Sequence, residues 1–532
     1  MAYIELTFLT SNSRFRRCTW KGTFLMRSPW PYPTKAPRLR LSAYFYARNK
    51  HHPQFMIDFP IHTALGVTFF SLYFLSMLGL ALVILLENRN PLKTIPWIIV
   101  LLTLPGIGLV FYFFFGQDNR RRRIISRRTY RRIMRPLSAG GPRQDKVNVP
   151  PAYRPLMRML NRNGRTPLLY GSHIDIYTSG QEKFTAFLEA LRGARHHIHL
   201  QYYIIADDEI GRCVRQVLIE RARAGVEVRV LYDDVGSWSV PRRFFDTMRN
   251  AGIEAHPFLR VVFPLFTSKV NYRNHRKVAI IDGRIGFMGG MNIADRYLRG
   301  VSWGVWRDTH FRIEGKGVHG LQSSFLIDWY VVTRQLIKGK DYYPDEKFYD
   351  DNLMQIFSGG PTGRWRILLQ AFIFCITNAK RYLYIQTPYF LPTEGLTQAL
   401  QTAALGGVDV RLMLPERSDT RSAHLASHSY LDDMLRAGVK VYFYRAGFLH
   451  SKLLVSDDEI ACIGSANFDF RSFEHNFEIN AFVYHRPFAE SLRRMYMDDL
   501  RSCVPVRAYN WARRPFHLRL IESFLRLFSP LL

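Results

Sequence analysis

Acidic residues are scarce in this sequence. Its 532 residues hold 43 Asp and Glu against 74 Lys and Arg, which leaves a formal net charge of +31 and a pI near 10.1. An imbalance of that size implies a polyanionic partner, either nucleic acid or an anionic lipid surface. Cysteine is scarcer still. Cys18, Cys213, Cys375, Cys462 and Cys503 are scattered without a C-x-x-C pair, which excludes a disulfide framework and a zinc site and fits a reducing cytoplasm. The length predicts two or three compact units.

A secretory signal is lacking too. The first 55 residues carry one acid, Glu5, and are rich in Arg, Lys, Pro and aromatics, with no apolar core. A transit peptide, a polybasic arm on lipid, and a translated stretch ahead of a start at Met56 all fit. The expectation favoured is a dispensable, disordered arm over 1–60.

Long apolar runs are present, however. Residues 64–86 are uncharged, and 95–115 form a second run interrupted by Pro96, Pro105 and glycines. Each is long enough to cross a bilayer core, and the connector 87–94 is too short to be a domain. A transmembrane helical hairpin over 61–116 is expected. Its outer ends are basic, with Arg38, Arg40, Arg48 and Lys50 before it and Arg120, Arg121, Arg122, Arg123, Arg127, Arg128, Arg131 and Arg132 after it. Charge of this distribution places both ends in the cytoplasm. Residues 117–164 read as a basic juxtamembrane linker lying on anionic headgroups.

The rest of the chain is organised around a duplicated motif. His275, Lys277 and Asp282 sit in H-R-K-V-A-I-I-D, followed by Gly289, Gly290 and Asn292; His450, Lys452 and Asp457 sit in H-S-K-L-L-V-S-D, followed by Gly464, Ser465 and Asn467. The apolar run after each lysine predicts a buried strand, on which His and Lys two apart share a face. Asp282-Gly283 and Asp457-Asp458 are turn residues able to return the Gly-rich segment beside the His. Each copy thus offers an imidazole, an ammonium and an amide. Two copies face to face supply what phosphodiester chemistry needs, namely a nucleophile, cationic donors and an acid for the leaving alcohol. Lysines stand where a two-metal site would need carboxylates, so no metal or other cofactor is called for.

The repeat extends past the motifs. Strands are expected at 197–203 and 225–231, and again at 382–389 and 407–413, with helices between them. Strands alternating with helices predict two α/β halves with mixed sheets covered by helices, over 165–355 and 356–505. Asp207 and Asp208, ahead of a helix, read as caps. The first half inserts an apolar stretch, 258–266, between Gly252 and His275, a candidate wall for acyl chains at Phe263 and Phe266 or packing between the halves. Each histidine needs a partner that fixes its tautomer, and the repeat nominates Asp308 and Glu478. Asp282 and Asp457 are expected to hold the hairpin turns through salt bridges. The tail 506–532 has Leu, Ile and Phe spaced as one helical face beside Arg519 and Arg526, able to lie in a membrane interface or to dock on the catalytic body.

The paired H-x-K-x4-D motifs, each followed by G-[SG]-x-N, resemble the signature of the phospholipase D superfamily over nearly everything from about residue 165. The hairpin, Y-I-I-A-D-D-E-I-G at 203–211, Q-T-P-Y-F at 386–390 and the motif around Asp469, Arg471 and Glu474 are similar to bacterial cardiolipin synthases. That resemblance implies His275 as nucleophile and His450 as acid, with Asp308 behind His275 and Glu478 behind His450. Lys277, Lys452, Asn292 and Asn467 would hold phosphoryl oxygens. The implied activity is a phosphatidyltransferase that joins two phosphatidylglycerols and releases glycerol, at the bacterial inner membrane with its catalytic part cytoplasmic and with no nucleic-acid partner. A hydrolytic phospholipase D and a basic nuclease are the alternatives.

Overall fold

The computed structural model describes residues 61–86, 91–104, 107–112, 125–139, 148–261, 272–345, 347–363 and 365–532. The expected arm over 1–60, the linker stretches 117–124 and 140–147, and the wall residues Phe263 and Phe266 lie outside these. By its contacts the chain divides into residues 1–76 and 77–532.

The helix Ile61–Leu86 is apolar around its whole circumference, and its stretch Gly66–Leu86 has the length and composition to cross a bilayer core. The second apolar run departs from expectation. It forms the helix Pro91–Thr103 and a short helix Ile107–Phe111, and Pro105 stands in the sequence between them, a residue that disfavours helix at the position before it. Among the described residues one helix, not two, is long enough to span. Within the linker, the helix Arg127–Ala139 buries Ile133 and Leu137 against Leu321 and Phe325 and leaves Arg128, Arg131, Arg132 and Arg135 exposed.

The first half contributes strands β1 (Leu169–Tyr177), β2 (His197–Tyr202), β3 (Glu227–Asp233), β4 (Glu254–Phe258), β5 (Lys277–Ile281), β6 (Ile285–Gly289), β7 (Val305–Arg307) and β8 (His310–Glu314). The second contributes β9 (Asn352–Gly359), β10 (Tyr382–Gln386), β11 (Phe390–Leu391), β12 (Asp409–Pro415), β13 (Lys440–Tyr444), β14 (Gly447–Leu449), β15 (Leu453–Ser456), β16 (Ile460–Gly464), β17 (Phe468–Asp469), β18 (Glu478–Val483) and β19 (Cys503–Pro505).

Among the described residues, fifteen of these form one mixed sheet in the order β19-β13-β12-β10-β15-β16-β18-β9-β1-β8-β6-β5-β2-β3-β4. Read outward from the antiparallel β9–β1 pair at its centre, the order is the same in both directions until β19. Parallel triplets β2-β3-β4 and β10-β12-β13 carry helices in their crossovers, and β5 and β15 run antiparallel beside β2 and β10. Apolar clusters cover both faces: Val278, Phe311, Met354, Ala481 and Val455 lie on one, and on the other Phe187, Val214, Phe244 and Phe287 cover one end and Leu383, Leu412, Phe372 and Phe482 the other. Strands buried on both faces read as the continuous apolar runs seen after each lysine.

Two small pairings lie outside the large sheet and join the halves. β7 runs parallel to β14, with Leu449 opposite Arg307, and Asn274 bridges in parallel to Phe477.

Candidate active site

Lys277 is the first residue of β5, and Lys452 stands immediately before β15. β5 and β15 then fold back as tight hairpins onto β6 and β16. Asp282 and Gly283 in one turn, and Asp457 and Asp458 in the other, are all left-handed, which is why Asp and Gly serve there. The motif aspartates do not act through salt bridges. Asp282 accepts from the backbone N–H groups of Arg195, His196 and His197 at 2.8, 2.8 and 2.9 Å. Asp457 accepts from Lys380, Arg381 and Tyr382 at 2.7, 2.9 and 2.9 Å. Each carboxylate saturates the orphan donors at the start of the neighbouring strand, seven residues and roughly 23 Å of extended chain from its histidine at about 3.3 Å per residue. They tie each hairpin turn to the neighbouring strand.

The histidines sit where the small inter-half pairings begin. The backbone N–H of His275 donates to Phe477 O at 3.0 Å, and that of His450 to Arg307 O at 2.7 Å. Each His therefore faces the residue one step along the opposite segment. His275 Nδ1 lies 3.1 Å from Glu478 Oε1, and His450 Nδ1 lies 2.6 Å from Asp308 Oδ2. The expected pairing, Asp308 behind His275 and Glu478 behind His450, is reversed. Strand pairing across the halves carries each carboxylate to the other half's imidazole.

Both carboxylates are buried and ionised. Burial alone would raise Glu478, but His275 and Lys277 bring it down to about 2. Asp308 is likewise below the usual range, because Lys452 and His450 outweigh its burial. Ionised acceptors favour Nδ1–H on both rings, which leaves Nε2 as the unprotonated nitrogen of each neutral imidazole. Burial, reinforced by the neighbouring lysine, lowers His275 and pulls His450 down to about 4, so both imidazoles rest neutral at pH 7. Lys277 donates to His275 O at 2.6 Å, and Lys452 donates to His450 O. Burial lowers both ammonium groups. The charge of Lys452 is felt at His275 and Lys277, and that of Glu478 at Lys452. The motifs thus share one electrostatic space.

The two asparagines are more tied down than expected. Asn292 accepts from Ile204 N at 3.1 Å and donates to Tyr297 Oη at 2.9 Å. Asn467 donates to Asp469 at 2.9 Å, while its own N–H meets Ser472 Oγ at 3.1 Å. Each amide nitrogen keeps one further N–H for a ligand. Asp208 caps the helix Glu209–Arg223, accepting from Gly211 N, and Asp207 pairs with Arg212.

Several supporting residues were not assigned from sequence. Ser465 donates to Glu478 and accepts from Ile479 N. Its counterpart is Gly290, where an added Cβ would lie 2.0 Å from Asp308 Oδ1; the G-G against G-S difference in the motifs was the available signal. Buried Asp328 holds Arg276, Asn274 and Gln201, and Asp499 holds Arg307 and Gln386. Gln201 and Gln386 occupy equal places in the two repeats, which could have marked them. Tyr203 meets the His275 ring edge-on at 5.1 Å, and Trp306 and Phe448 flank His450.

Comparison with known proteins agrees with this architecture. A family model described as "Cardiolipin synthase, PLD-like domain" matches residues 187–302 and 372–500, and one described as "Phospholipase D-nuclease N-terminal" matches 74–117. The cardiolipin synthase of Geobacillus sp. (strain WCH70) is 41% identical over 463 residues, covering 86% of this chain and 92% of that protein. Cardiolipin synthase 2 of Bacillus cereus is 39% identical over 456 residues, covering 85% and 89%. The crystal structure of phosphatidylserine synthase from Haemophilus influenzae shares the fold, with a TM-score of 0.56 at 15% identity, over 71% of this chain and all of that one. With a duplicated strand order, two crosswise His–carboxylate pairs and this identity over most of its length, the chain belongs to the cardiolipin synthase family of phospholipase D-like proteins.

Proposed function

We propose that the protein is a phosphatidyltransferase that makes cardiolipin from two phosphatidylglycerols and releases glycerol. The observation that carries this reading is the pair of neutral imidazoles, each held by a buried carboxylate from the opposite half and accompanied by a buried lysine. One neutral imidazole suits attack on phosphorus, and the other suits proton traffic at the alcohol.

In the proposed cycle, His275 Nε2 attacks phosphorus, a P–N bond forms and the P–O bond to glycerol breaks. His450, which takes up a proton from water at Nε2 as the anionic phosphodiester binds, gives that proton to the departing glycerol oxygen. The hydroxyl of a second phosphatidylglycerol then loses its proton to His450 and attacks phosphorus, which breaks the P–N bond and restores both rings. The arriving phosphodiester anion supplies the negative charge that burial withholds, so it raises the proton affinity of Lys277, Lys452 and His450 together. The lysines, with one N–H each from Asn292 and Asn467, hold the phosphoryl oxygens.

The setting belongs to the same reading. The span Gly66–Leu86, with the segments Pro91–Thr103 and Ile107–Phe111 as a second, broken arm of a hairpin, anchors the enzyme in the bacterial inner membrane. The basic residues after it keep the catalytic part on the cytoplasmic side. The exposed arginines of Arg127–Ala139 favour anionic lipid.

The test is to incubate purified protein with phosphatidylglycerol and follow lipid products and glycerol. Cardiolipin with equimolar glycerol supports the reading. Phosphatidic acid alone would make it a hydrolase.

A further inference from the structure

The C-terminal helix Phe516–Arg526 and the turns after it carry two unlike faces. The inward face is anchored by polar contacts. Glu522, the only acid in the helix, is buried and bonded to Arg514 at 2.5 Å, with His428 beside it. Ser529 is buried and accepts from Tyr430 Oη at 3.0 Å, and Arg526 stacks on the Tyr430 ring. The helix is therefore docked on Arg421–His428 and its neighbours, one of the two fates open from the sequence.

Docking leaves the apolar face outside. Phe516 is 76% exposed, Leu520 57%, Phe524 58%, Leu527 73% and Leu531 51%. The first four recur at i, i+4, i+8 and i+11, one continuous stripe on a helix. Arg513 and Arg519 are exposed beside it. A bare apolar stripe rimmed by arginines, with the sole acid turned inward, is complementary to an anionic bilayer surface rather than to water.

The stripe also ends at the candidate active site. Arg471, in the motif segment after Asn467, donates to Leu531 O at 3.3 Å, and its charge partly offsets the burial that raises the Tyr203 hydroxyl. Tyr203 is the ring edge-on to His275. The Tyr203 carbonyl accepts from Ser237 at 3.3 Å, and the next residue, Trp238, is 73% exposed. An exposed Trp on that turn is a typical resident of the headgroup region.

We infer that the outward face of Phe516–Arg526, together with Trp238, inserts into the headgroup region of an anionic bilayer and seats the mouth between His275 and His450 on the lipid surface. This deepens the lipid-transferase reading and rests on it for the identity of the surface.

The test uses the full chain in vesicles of phosphatidylglycerol and phosphatidylcholine. Leu527→Cys and Leu405→Cys proteins carry an environment-sensitive fluorophore, Leu405 being a 73% exposed control, with labelled parent protein as background. Quenching of the Leu527 probe by brominated acyl chains, with the Leu405 probe quenched by aqueous iodide, is expected. A Leu527 probe open to iodide, or shielded from both quenchers as a protein partner would shield it, overturns the inference. This readout needs no turnover, so it stands apart from the proposed reaction. In parallel, Phe524→Asp with Leu527→Asp is expected to cut turnover of vesicle lipid about ten-fold while sparing short-chain phosphatidylglycerol dispersed as monomers. Equal loss on both substrates, or on neither, overturns it.

Discussion

The carboxylate that fixes His275 comes from the other half of the chain. Glu478 lies 203 positions away in sequence, yet both its oxygens stand within 3.2 Å of His275 Nδ1. Asp308 does the same for His450 across 142 positions. If His275 attacks and His450 protonates, the crosswise wiring decides which step each carboxylate serves. Glu478→Gln and Asp308→Asn should each slow transfer from phosphatidylglycerol about 100-fold. With a phosphatidyl ester of p-nitrophenol, whose leaving group needs no acid, release of nitrophenol should recover in Asp308→Asn and stay slow in Glu478→Gln. Recovery in the opposite variant would mean the roles are exchanged.

The motif aspartates should affect folding rather than turnover. Asp457→Ala strands three backbone donors in a buried turn, at a cost of about 3 kcal/mol. A lower melting temperature in detergent, with unchanged turnover per folded molecule, is the expected result. Thermal melts paired with active-site titration check it.

Gly290 is a steric requirement of the site. With a Cβ reaching Asp308 Oδ1, Gly290→Ala should displace that carboxylate and with it His450. Turnover of phosphatidylglycerol should fall about 100-fold, while the p-nitrophenyl ester is largely spared. Comparing the two substrates in one variant tests the claim.

Much of this was legible in the sequence because its causes are local. The H-x-K spacing puts two side chains on one strand face, and Asp282-Gly283 and Asp457-Asp458 write the hairpin turns directly. The repeated Gln201 and Gln386 strands announce a duplicated sheet. The pairing of Glu478 with His275 was not legible, because it follows from β7 lying on β14 and Asn274 on Phe477, contacts between distant segments with no nearby signal. The work of Asp282 and Asp457 was misread for a related reason: their partners are backbone N–H groups, which carry no residue-type signature. The second apolar run reads as one spanning segment by composition, whereas its described residues form the separate helices Pro91–Thr103 and Ile107–Phe111.

Acid should destabilise the folded protein. His450 titrates at about 4 in the fold and near 6.5 when unfolded, so between those values the unfolded chain binds more protons and stability falls as pH drops. Glu478, at about 2 in the fold, adds to the same trend below about 4.5, its stabilisation being complete above the unfolded value and lost as pH falls toward 2. Melting temperature should decline from pH 6.5 to 4, since burial also lowers His197, His319 and His424 to about 4, and His450→Gln should make that decline shallower by its own share. A melting temperature that rises on acidification would contradict the assignment.

The most direct test of two imidazoles acting on one phosphorus is to trap the intermediate. His450→Ala protein is mixed with the p-nitrophenyl phosphatidyl ester, quenched in base, digested and sequenced by mass spectrometry. A phosphatidyl group on His275, absent when Glu478→Gln is added, is the expected result. The same adduct on another residue, or full turnover with none, would contradict it.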